Sequence, residues 1–170
     1  LVQEGIRETP ARISEEGEGR AIIEKRILLT NRKGIRLDLN YRRIVRVPAK
    51  VPLPTGYALD GMCYQTEDVF EPVGEYNRED VLLAPWSLEQ FPGAEGIVAF
   101  GKVVGDGDPL NRDFYGDPGD RILRRPGSFV FRLVGPARHQ VGVKVQSKPQ
   151  FIGAFDLQRS LLILRQTEVR

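Results

Sequence analysis

Residues 35–40 read Ile-Arg-Leu-Asp-Leu-Asn, with an apolar side chain at every second position. Only an extended chain gathers such residues on one side, because successive strand side chains point to opposite faces. The same period of two recurs. Ile23, Ile27 and Leu29 share a face before the turn-forming Asn31–Gly34 stretch, and Ile44, Val45 and Val47 follow among arginines. Phe129, Phe131 and Leu133 alternate with Val130, Arg132 and Val134, and Val141, Val143 and Val145 with Gly142, Lys144 and Gln146. Residues 96–104 form a further apolar segment. Repeated half-buried strands between turn residues describe an antiparallel sheet protein.

The punctuation agrees. Eighteen glycines and 12 prolines in 170 residues suit a turn-rich β domain. Asn31, Arg32, Lys33 and Gly34 have hairpin-loop chemistry, with Gly34 free to take a positive φ. Pro48, Pro52 and Pro54 make residues 48–56 an extended link. Residues 57–64 read as a short strand around Gly61. Asn77 caps a short helix ended by Pro85, and Ser87 a second turn through Phe91 stopped by Pro92 and Gly93. Residues 157–165 fit either a helix through Leu157, Leu161 and Leu164 or a buried strand over Leu161–Leu164, and the neighbouring strands favour the second. The expected fold is mainly β, an antiparallel sandwich or barrel of roughly eight strands with one or two short helices. Residues 1–20 are polar and broken by Pro10, Gly17 and Gly19, so they are expected to form an extended N-terminal arm ahead of a single β-rich domain over 21–170.

Cys63 is the only cysteine and His139 the only histidine, so no intrachain disulfide and no zinc site of N and S ligands can form within one chain. There is no apolar run of 18 residues, hence no expected spanning helix, and no secretory signal pattern. Neither a nucleophile elbow nor a glycine-rich phosphate loop occurs. A hydrolase using paired carboxylates needs no local motif and stays an alternative, with Glu67, Asp68, Glu71, Glu75, Glu79 and Asp80 as its acids.

The formal net charge of +2 hides segregation: residues 1–20 carry 3 basic and 5 acidic groups, 21–50 carry 9 and 2, 51–120 carry 3 and 14, and 121–170 carry 10 and 2. Such a layout either neutralises itself internally or presents opposed surfaces that orient assembly. Three further sites follow from it. Asp106, Asp108, Asn111 and Asp113, with Asp117 and Asp120 behind them, place oxygen ligands on a Gly-bent loop and make calcium the one cofactor to consider; turn formation explains the same residues. Lys25, Arg26, Arg32, Lys33, Arg36, Arg42, Arg43 and Arg46, beside Tyr41, offer phosphates a basic hairpin, which makes nucleic acid an alternative partner. Arg42, Arg43, Arg46, Arg124 and Arg125 are the basic candidates for a subunit interface, and Ile6 and Ile13 are the arm's anchors on a neighbour.

These features favour a non-enzymatic structural subunit of a larger assembly, of virion shell, tail or appendage type, whose partners are copies of itself and other subunits. Its alternative is a calcium-dependent or nucleic-acid-binding β module. One cysteine and no N-x-[ST] acceptor suit a virion or an intracellular assembly.

Overall fold

The computed structural model describes residues 4–7, 11–51, 53, 55–83, 88, 90–91, 93–105, 107–111, 117–134 and 140–166. The chain divides into two compact units, Leu1–Trp86 and Ser87–Arg170. It is mainly β, and all strand pairs among the described residues are antiparallel.

The first unit is a four-stranded sheet in sequence order: β1 (Arg12–Glu15), β2 (Arg20–Thr30), β3 (Arg36–Arg46) and β4 (Gln65–Pro72), with one helical turn, α1 (Glu4–Arg7), ahead of it. The β2–β3 hairpin sets the register. The Asn31 side-chain oxygen accepts from the Lys33 and Ile35 N–H groups at 2.9 and 3.0 Å, and Gly34 sits at φ 81°. That turn pairs Leu29 with Leu37 and Ile27 with Leu39, so the apolar residues meet on one face. Ile27, Leu37 and Leu39 are buried there, with Leu29, Tyr41, Phe70, Tyr76 and Val81 packed around them.

The second unit is a five-stranded sheet ordered β11-β10-β5-β8-β7, where β5 is Ile97–Val103, β7 Ile122–Arg125, β8 Ser128–Arg132, β10 Pro149–Asp156 and β11 Leu161–Arg165. A two-stranded sheet joins β6 (Leu110–Asn111) to β9 (Gly142–Val143). Leu110, Ile122, Phe129 and Phe131 form the buried cluster, with Ala99, Leu133, Val141 and Val143 against it. The small sheet thereby covers one face of the large one, its inner face. Asp156 closes the β10–β11 turn: its carboxylate accepts from the Gln158 and Arg159 N–H groups and from the Arg159 guanidinium at 2.7 Å. The Arg159 bond, helped by the two N–H groups, holds this carboxyl below its usual range.

Several expectations change. The described sheets are open and no barrel closes, because β1, β4, β7 and β11 each have a strand neighbour on one side only. Eleven strands, rather than about eight, occur among the described residues. Residues 57–64 are irregular, and the strand begins instead at Gln65. β4 lies at an edge and is mostly exposed, so no apolar alternation marks it. Asn77 caps a single turn, not a helix: its carbonyl accepts from Asp80 and Val81, and its side chain from Glu79. The turn expected at Ser87 lies outside the described residues. Residues 161–165 are a strand, as expected, but an exposed one. The described part of residues 1–20 holds α1 and β1, and β1 pairs with β2 from Arg12↔Glu24 to Glu15↔Ala21.

Candidate functional site

The register places every second residue of the large sheet on its outer face, opposite the buried cluster. Val98 pairs with Phe155, Phe100 with Val130 and with Gly153, and Val130 with Leu123. Phe155 and Gly153 in turn pair with Leu162 and Leu164. With Phe151, which meets Phe100 edge-on at 6.2 Å between ring centres, eight apolar side chains share this face. Four are half-buried, and Leu123, Val130, Leu162 and Leu164 are exposed. Lys102, Arg125 and Arg132 stand on the same face at strand ends. Five strands at ~4.8 Å spacing and five residues at ~3.4 Å make a footprint of about 400 Å². Apolar patches of that size on soluble monomers are often functional.

Gly153 shapes the site. A Cβ there would stand 2.4 Å from the Ile163 carbonyl oxygen and 3.0 Å from Leu164 and Phe100 carbon atoms. Glycine lets β11 lie close against β10 and lets Phe100 and Leu164 close over the gap.

The residues singled out from sequence are distributed differently. Ile6 and Ile13 are exposed, at 42% and 68%. Arg43 holds Asp68 through two nitrogens, at 2.7 and 3.2 Å, and Arg46 holds Glu67 at 3.1 Å. Arg26 is paired with Asp38 and Lys33 with Asp80. Much of the basic hairpin therefore meets carboxylates of its own unit. Arg42 and Arg125 are exposed. Tyr41 stacks on Phe70 at 5.0 Å and donates to Asp68 at 2.6 Å. Burial, and after it this bond to a carboxylate, push the Tyr41 phenol up to about 12.

The acidic loop is brought together only in part. Asp108 accepts from the Leu110 N–H at 3.2 Å and from Arg124 at 3.3 Å, so its charge faces a guanidinium. Asn111 lies in β6 opposite Gly142. Asp106, Asp113 and His139 lie outside the described residues. Among the described residues no group of three His, Cys, Asp or Glu could hold a metal ion. An open cleft of about 470 Å³ runs between residues 103–105 and 107–109 on one side and the Arg124–Ser128 turn on the other, with Asp108 and Arg124 facing each other in it. Cys63 is half-buried and free. No helix among the described residues is long and apolar enough to cross a membrane.

Residues 2–170 match the profile of a family of unknown function (DUF6786). The chain belongs to this family. No curated protein and no solved structure matches it. The family match establishes kinship and leaves chemistry to the geometry.

Sequence reasoning missed the outer face, although a signal was present. Residues 97–100 and 151–155 are apolar at both odd and even positions, which marks strands with two apolar faces.

Proposed function

We propose that this protein is a non-enzymatic structural subunit that assembles with copies of itself, in a shell, tail or appendage type of assembly. One observation carries the reading: the outer face of the five-stranded sheet carries apolar side chains on all five strands, with basic residues only near the strand ends, and four of the apolar side chains stand exposed. A sheet normally buries such a face against another layer. In this reading the sandwich expected from sequence is completed between copies, outer face on outer face, ~10 Å apart. The charge segregation supports the same reading in a secondary way. Exposed pairs at the rim contribute about 0–1 kcal/mol each, so they orient subunits more than they bind them.

Light scattering on the purified full chain tests this. The mass is expected to exceed that of one chain at micromolar concentration, and Leu123→Lys with Val130→Lys is expected to lower it while leaving far-UV circular dichroism unchanged. A chain that stays monomeric at every concentration refutes the reading. A monomer that instead gains melting temperature with calcium, or binds a random oligonucleotide, replaces it with a binding module.

A further inference from the structure

β11 ends the order of the five-stranded sheet, so among the described residues it has a strand neighbour on one side only. Alternate N–H and C=O groups of such a strand face outward with no strand to receive them. Natural edge strands are guarded by a charge, a proline, a bulge or a covering segment. Leu161–Leu164 carries no charge and no proline. Its pairing with β10 runs without a break from Ile152↔Arg165 to Asp156↔Leu161. Its four aliphatic side chains are 49%, 52%, 39% and 56% exposed.

Among the described residues, the other edge strands of the two larger sheets are poor mates for it. β7 ends in Arg124 and Arg125, β1 carries Arg12 and Glu15, and β4 carries Glu67, Asp68 and Glu71. Each would set leucines against two or three charges and strip those charges of water, where β11 itself carries only Arg165. Laid antiparallel against its own copy, β11 matches on both faces. With Ile163 at the centre, Ile163 faces Ile163, Leu162 faces Leu164 on the outer face, and Leu161 faces the aliphatic stem of Arg165 on the inner. The outer-face footprint of about 400 Å² is roughly half of what each partner buries in a standard interface. The apolar edge continues that surface through Leu162 and Leu164.

We infer that β11 pairs antiparallel with β11 of a second copy about a twofold axis at Ile163, joining two five-stranded sheets into one of ten strands. The inference rests on the assembly reading above and names a contact distinct from face stacking. A twofold contact is closed, so edge pairing stops at two copies and further growth falls to the outer face.

Single-cysteine variants of the full chain test it, in a Cys63→Ser background that removes the only native thiol. Directly opposed residues stand ~4.5–5.5 Å apart at Cα, within the ~4.4–6.8 Å span of a disulfide. Ile163→Cys is expected to form a covalent dimer under mild oxidation, in clear excess over Leu82→Cys, whose native side chain is 97% exposed. A mixture of Leu162→Cys and Leu164→Cys chains is expected to cross-link as a heterodimer more than either does alone. Adding Leu162→Lys and Leu164→Lys to Ile163→Cys is expected to abolish its dimer with unchanged circular dichroism. An oligomer of undiminished mass whose Ile163→Cys yield does not exceed that of Leu82→Cys overturns edge pairing and leaves the assembly reading standing. A chain that is monomeric throughout overturns both.

Discussion

Replacing Gly153 with alanine puts a methyl carbon 2.4 Å from the Ile163 carbonyl oxygen, a separation that side-chain carbons do not reach below about 3.0 Å. β11 must therefore move outward by at least about 0.6 Å, since the colliding atom is backbone and no rotamer relieves it. Two terms of opposite sign compete. Alanine restricts the unfolded chain, and where it fits without strain it stabilises by ~0.4–1 kcal/mol. Overpacking at a close contact costs ~1–3 kcal/mol. β11 has a strand neighbour on one side only among the described residues, so it yields more readily than a central strand, and the cost falls in the lower half of that range. The net expectation is a loss of about 1 kcal/mol, which is a roughly fivefold rise in the population of opened β11. Amide hydrogen exchange is the assay, because the opening is local to one strand. Exchange at Leu161–Arg165 should accelerate about fivefold while β8 amides stay protected, and the Ile163→Cys cross-link should fall with it. Slower or unchanged exchange at those amides would refute the steric argument and leave Gly153 as a mere filler of the strand.

Two further outcomes follow from the first unit. Leu39 is fully buried, so Leu39→Ala is expected to cost ~2.7–5.0 kcal/mol in denaturant unfolding; a loss under about 1 kcal/mol would place Leu39 outside the core. The Tyr41 phenol is raised to about 12 from an ordinary 10, so the folded state favours its neutral form. Its contribution is intact below pH 10 and is lost as pH rises from 10 to 12. Absorbance titration near 295 nm should show a late-titrating phenol that Tyr41→Phe removes; a titration curve that Tyr41→Phe leaves unchanged at its alkaline end would contradict the half-buried, Asp68-bonded placement.

What the sequence determined by itself is local. The alternation over Arg36–Arg46 and the Asn31–Gly34 turn specify a hairpin without reference to the rest of the chain. Side-chain period and turn hydrogen bonds act over a few residues, and one buried face makes the wrong register costly. The mainly β, antiparallel character followed from such segments. β4 and β7 escaped notice because edge strands need no buried alternation, and β10 because it is apolar on both faces. The charge blocks were legible, but their meaning was not. Arg43 meets Asp68 across 25 positions and Arg46 meets Glu67 across 21, pairings that exist only once β3 and β4 are in register. The same holds for Leu161–Leu164. Composition alone marks these residues for burial. Their exposure was decided by strand order, which puts β11 last in its sheet among the described residues and leaves its aliphatic side chains facing water.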